Sequence, residues 1–133
     1  MKKERNMKIL VLDDSSVLCR RLRAALSDRP DIEFVDGNGD PLDAIRLVKE
    51  MRPDAVIVDM LARRRFGIDV PRNIKKIVPA PLVVMLTNKF YPDSEEEYVK
   101  DKVDFHFDKF TELDKVSTIF TQTHRRAVAA AGI

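Results

Sequence analysis

The chain has 133 residues, 24 basic and 22 acidic, for a formal net charge of +2, and 44% of it is hydrophobic. That is one domain's length with enough apolar residues for a core, which argues against intrinsic disorder, and so small a charge excess predicts no nucleic-acid affinity by itself. A single cysteine, Cys19, excludes an internal disulfide framework or a multi-cysteine metal site.

The start, Met1–Asn6, is charged, and the apolar run after it lasts only to Leu12 before two aspartates. That is too short for a signal peptide, no stretch approaches a membrane span, and the expected compartment is a reducing cytoplasm. Residues 7–12 read as the first strand, ending in Asp13 and Asp14. Ser15 or Asp14 can cap a helix to about Asp28, with Leu18, Leu22, Ala25 and Leu26 on one face and Cys19 placed for packing. Pro30 ends the connection. Asp31–Asp36 alternates, so it reads as an edge strand, and Gly37-Asn38-Gly39-Asp40 is turn chemistry. Asp40 as cap and Pro41 at the first position open a second helix, whose stripe is Ala44, Ile45, Val48 and Met51.

Ala55-Val56-Ile57-Val58-Asp59 is apolar at every position before its carboxylate, the signature of a strand buried on both faces. Met60–Gly67 is expected to be a loop, with Arg63-Arg64-Arg65 in it. Val70, Ile74 and Ile77 fit a third helix, and residues 82–86 a fourth strand ending at Thr87. Ser94-x-x-Glu97 resembles a capping box for a short, weakly amphipathic fourth helix with Tyr98 and Val99. A fifth strand at 104–107 ends near Lys109. Thr111 is the expected cap of a last helix with Leu113, Val116, Ile119 and Phe120 facing in, and 127–133 is an alanine-rich end.

This is β-α five times, without a repeat or linker: one domain over residues 1–133, with its core at about 7–123. Such alternation predicts an α/β fold, a doubly wound parallel sheet with helices on both faces. Ligands of such folds bind beyond the carboxyl ends of the strands. Asp13, Asp14, Asp59, Thr87 and Lys109 all map to that edge.

Three carboxylates brought together repel unless something positive joins them. A hard divalent cation such as Mg2+ takes oxygen ligands and commonly uses one or two carboxylates plus a phosphate oxygen. Asp13 and Asp14 look like the metal-holding pair, and Asp59 can be both ligand and nucleophile. A transferred phosphoryl group spreads negative charge over three oxygens, which Mg2+, the Thr87 hydroxyl and the Lys109 ammonium can share. The product would be an aspartyl phosphate.

The set resembles the receiver domain of two-component response regulators: Asp13-Asp14 after the first strand, Asp59 after the third, Thr87 after the fourth and Lys109 after the fifth, with Gly67 eight residues past Asp59. The resemblance covers Met7 to about Thr123, and it implies the flavodoxin-like (βα)5 doubly wound sheet with strand order 2-1-3-4-5. It implies that Asp59 accepts a phosphoryl group from a phosphohistidine of a sensor histidine kinase or phosphotransfer protein, and that the domain is a signalling module rather than an enzyme beyond its own phosphorylation and slow dephosphorylation. It implies that the Leu61 backbone carbonyl joins the metal, and that signalling to a protein target runs through Thr87 and the residue at 106. It places kinase contacts on the first helix, with Val17 and Leu18 as candidates, and a homodimer face at helix four, strand five and helix five. The length leaves no room for an output domain, so a stand-alone regulator is expected.

Some positions depart from the family pattern. His106 stands where receivers usually have Tyr or Phe, Phe110 where proline follows the lysine, and Leu61-Ala62 where Met-Pro is usual. Leu61 and Lys89 flank the path of attacking water in the family, so they bear on phosphoryl lifetime. His106 reads either as an exposed strand-end residue or as a switch whose imidazole titrates near pH ~6.5. The triple arginine reads either as a solvated loop or as a steering element for an anionic phosphodonor. Arg20, Arg21, Arg23, Arg125 and Arg126 read as solvated helix faces. Alternative functions are a phosphorylation-independent binding module and a phosphorelay carrier or phosphate sink. A haloacid-dehalogenase-type phosphatase would need Asp-x-Asp after the first strand, and Asp13-Asp14-Ser15 does not supply it. Neither a helix-turn-helix nor a basic face for DNA is evident.

Overall fold

The five stretches read as strands pair into one parallel sheet. The computed structural model describes residues 6–13, 17–37, 40–59, 64–65, 68–87 and 103–119. Its strands are β1 (Met7–Leu12), β2 (Ile32–Gly37), β3 (Ala55–Asp59), β4 (Arg64–Arg65), β5 (Ile68–Asp69), β6 (Leu82–Thr87) and β7 (Phe105–Asp108). The main sheet has the order β2-β1-β3-β6-β7 with every neighbour parallel, so its five strands lie 2-1-3-4-5 in chain order. β4 and β5 form a separate antiparallel pair within and beyond the stretch expected to be loop.

Alternation along buried strands sends side chains to two cores. Ile9, Val11, Ile57, Val84 and Leu86 pack on one face with Leu18, Cys19 and Leu22 of α1 (Val17–Ala25) and with Val116 and Ile119 of the helix at 113–119. Leu10, Leu12, Val56, Val58 and Val83 pack on the other, with Ala44 and Val48 of α2 (Pro41–Met51) and Val70 and Ile74 of α3 (Val70–Lys75). β3 is buried at all five positions, Asp59 included. Burying each Val or Ile contributes about 1.5–3 kcal/mol. β2 lies at the sheet's edge, and its pattern of burial has two exposed positions, as its sequence alternation predicts.

Several boundaries differ from those read in the sequence. α1 stops at Ala25 rather than near Asp28. Arg29 N donates to Leu26 O and Ile32 N to Arg29 O, tight three-residue closures ahead of and across Pro30. α3 stops at Lys75, and Ile77 joins the core from a turn closed by its N–H on Ile74 O. Asp69 caps α3, with Oδ1 accepting from Arg72 N at 3.1 Å. Asp40 and Pro41 open α2 as expected, with Oδ1 accepting from Leu42 N at 2.9 Å. Gly37 ends β2 instead of opening a turn; a Cβ there would meet Leu12 Cδ2 at 2.8 Å.

The last helix also begins differently. The Thr111 N–H donates to Asp108 Oδ1 at 3.0 Å, so Thr111 lies inside a turn organised by Asp108 and is not the cap. Cys19 is buried, and that burial pushes its thiol above the ordinary range, as a core residue's should be. Leu18 is buried in the same core, so it is not available as a kinase contact, whereas Val17 is exposed. The fourth helix expected from Ser94, Phe120, and the residues from 120 to 133 lie outside the described residues. Among the described residues, no helix is long and apolar enough to cross a membrane.

Candidate functional site

The sheet brings four chain-distant positions to one edge. β1 and β3 pair through Leu12 and Val58, so the next residues, Asp13 and Asp59, end adjacent strands. β3 and β6 pair through Asp59 and Leu86, which puts Thr87 one step beyond. β6 and β7 pair through Thr87 and Asp108, with Lys109 one step further.

Asp59 is 7% exposed, one of two buried charged residues with Asp108 among those described. The Lys109 ammonium lies 3.3 Å from Asp59 Oδ2. Both side chains are largely shielded, where a charge pair is screened little by salt. The Lys109 N–H donates to Thr87 O at 2.9 Å, which continues the β6–β7 ladder past its last pair and fixes the lysine's backbone.

Asp13 Oδ2 accepts from Leu18 N at 3.0 Å, so this carboxylate serves the first turn of α1. A carboxylate has about four lone-pair sites, so that bond is compatible with a second partner. Asp13 and Asp59 present oxygen donors from neighbouring strand ends, the chemistry a hard divalent cation takes. Asp14 and the Leu61 carbonyl, the other expected ligands, lie outside the described residues. Among the described residues, no three His, Cys, Asp or Glu side chains gather into a metal-binding cluster.

The Thr87 hydroxyl donates to Phe107 O at 3.2 Å. His106 stands opposite Met85 in the register and is exposed. Lys89, Arg63 and Gly67 lie outside the described residues, and Arg64 and Arg65 are described by their backbone alone.

Four residues make contacts that were not read in the sequence. Asp108, 8% exposed, accepts from Phe110 N at 2.8 Å and from Thr111 N, closing the turn that carries Lys109. Its Asx spacing, two and three residues ahead of those donors, is the signal that could have found it. Glu112 returns to that turn through Oε1, which accepts from Asp108 N at 3.0 Å. Arg21 and Arg23 are more than solvated: Arg21 Nη2 donates to Lys109 O at 3.2 Å and Arg23 Nη2 to Phe34 O at 2.9 Å. Such long-range contacts leave no local pattern in the sequence.

The family model for the response regulator receiver domain matches residues 9–120. The chain is 31% identical over 119 residues to the response regulator protein VraR of Staphylococcus epidermidis, covering 89% of this chain and 56% of that protein. It is 38% identical over 81 residues to protein-glutamate methylesterase/protein-glutamine glutaminase 1 of Caulobacter vibrioides, covering 61% of this chain and 24% of that protein. The chain thus spans about a quarter to just over half of these curated relatives. In structure it is similar to a response regulator receiver domain protein from Clostridium thermocellum, with a TM-score of 0.73, 25% identity, and coverage of 93% and 98% of the two chains. The receiver domain of Thermotoga maritima CheB is similar at a TM-score of 0.65 and 22% identity, with coverage of 94% and 98%. A family match across most of the length, with the likeness in fold to solved receiver domains, leads to one conclusion: this chain belongs to the response regulator receiver domain family.

Proposed function

We propose that Asp59 is the phosphoacceptor of a phosphorylation-controlled interaction module. Receiver domains of two-component systems are signalling modules phosphorylated on aspartate by sensor kinases. The observation that supports Asp59 here is its place at the end of the buried central strand, with the Lys109 ammonium 3.3 Å from its Oδ2. An oxygen of the Asp59 carboxylate attacks phosphorus. The P–N bond to the donor's phosphohistidine breaks as the P–O bond forms, and the imidazole leaves.

Lys109 is placed to follow the developing charge on the phosphoryl oxygens, and the Thr87 hydroxyl can exchange Phe107 O for one of them. Asp13 and Asp59, with Asp14 and the Leu61 carbonyl, would hold Mg2+, which neutralises phosphoryl charge when bound. Thr87 changing partner at the β6–β7 edge, with exposed His106 beside it, is the proposed route to a protein target. The proposed donor is a sensor histidine kinase or phosphotransfer protein, and the proposed compartment is the cytoplasm. No catalysis is proposed beyond the domain's own phosphorylation and dephosphorylation.

Intact mass after incubation with magnesium and acetyl phosphate tests this. One added phosphoryl group, lost in Asp59→Asn and in a chelated sample, is the expected result. A folded protein with no adduct would favour a phosphorylation-independent binding module.

A further inference from the structure

Phe110 follows Lys109 where proline is usual for the family, and the residue is 60% exposed. Two cations share that ring. Lys109 Nζ lies 5.4 Å and Arg21 Cζ 5.8 Å from its centroid, within the ~6 Å reach of a cation–π contact. Arg21 Nη2 also donates to the Lys109 carbonyl at 3.2 Å, across 88 positions of sequence. Lys109 is therefore engaged at both ends. Its backbone carbonyl accepts from Arg21 and its N–H donates to Thr87 O, and its ammonium is within reach of both Asp59 Oδ2 and the Phe110 ring.

We infer that Phe110 and Arg21 are positioning residues for Lys109, fixing its ammonium beside Asp59. The catalytic consequence rests on the assignment of Asp59 as phosphoacceptor; the contact itself does not. Lysine has a flexible four-carbon stem, and a flexible group meets a transition state in only some of its rotamers. An aromatic face attracts the ammonium without cancelling its charge, so the charge stays available to incoming phosphoryl oxygens. A second carboxylate would hold the lysine equally well and neutralise it. Arg21 adds a tie from α1 to the strand-end turn, so the lysine's peptide does not move independently of that helix.

Two readouts on the full chain test this. In the first, the lysine ε-carbons are labelled and the Lys109 ε-CH2 resonance is followed by NMR. A ring-current-shifted resonance that Phe110→Leu abolishes, Phe110→Tyr retains and Arg21→Gln displaces is the expected result. In the second, the initial rate of phosphorylation by acetyl phosphate with magnesium is compared. Phe110→Leu should slow it about two- to five-fold, the loss of one exposed cation–π contact, and Phe110→Tyr should restore it. In a Lys109→Met background, Phe110→Leu should make no further difference. A Lys109 resonance indifferent to both substitutions, or an equal slowing in the Lys109→Met background, would overturn the inference. If the unaltered chain takes up no phosphoryl group, the Asp59 assignment fails, and the resonance alone decides whether Lys109 is positioned by this ring.

Discussion

Thr87 Oγ1 donates to the carbonyl of Phe107 at 3.2 Å, tying the end of β6 to β7. The hydroxyl proposed for a phosphoryl oxygen is thus already engaged within the resting sheet. β7 is the outer strand, so a released Phe107 carbonyl can turn to water. Phosphorylation should therefore shift the 13C resonance of the Phe107 carbonyl, and Thr87→Val should abolish that response. The same substitution should cost about 0.5–1.5 kcal/mol in urea unfolding, one hydrogen bond's net worth. A Phe107 carbonyl that ignores phosphorylation would separate Thr87 from the switch.

Asp108 should be more important to stability than its neighbours in the same turn. Its buried carboxylate receives two backbone N–H groups, and replacing it with Ala leaves both without that acceptor. Asp108→Ala should lose about 1–2 kcal/mol in denaturant unfolding, with Asp108→Asn losing less. It should also slow phosphorylation, because the turn it closes carries Lys109.

Glu112 supplies a pH-dependent contribution of known sign. The Lys115 ammonium at 2.7 Å, then the Asp108 N–H, holds its carboxyl below the usual carboxylate value. A folded value below the unfolded one of about 4.3 adds stability above that pH. The contribution disappears as pH falls through the folded value. Glu112→Gln should therefore lower the urea midpoint slightly near neutrality and leave it unchanged once the pH is well below the folded value. The Glu112 side chain is 33% exposed and Lys115 more so, so solvent screens the pair and the effect should be small. An equal loss at both pH values would assign the effect to packing.

Arg52 is a site for stabilisation. It caps α2 with φ 50° and ψ 61°, and its N–H donates to Val48 O. A side chain costs energy in that left-handed conformation, which glycine adopts freely. Arg52→Gly should raise stability by up to about 1 kcal/mol without changing phosphorylation. A thermal midpoint unchanged or lowered would show that the Arg52 stem contributes packing of equal worth.

The strands were legible because Ile57 and its neighbours are apolar on both faces, a pattern only a twice-covered strand requires. Asp13, Asp59 and Thr87 were legible as strand-end residues for the same reason, since each apolar run stops where the sheet opens, and Lys109 was legible by following the short strand at 104–107. The partners of those residues were not legible. Nothing local in the sequence pairs Thr87 with Phe107 or Arg21 with Lys109; the sheet register and the helix packing do. The lengths of α1 and α3 were misjudged because apolar spacing continues through Leu26 and Ile77, while the backbone there closes into tight turns.

The most direct test of the central claim is where the phosphoryl group resides. Phosphorylated protein would be reduced with borohydride, which converts an aspartyl phosphate to homoserine, and then mapped by peptide mass spectrometry. Homoserine at position 59, absent without magnesium and acetyl phosphate, is the result expected. Homoserine at Asp13, Asp14 or Asp108 with Asp59 intact would contradict the assignment of the phosphoacceptor.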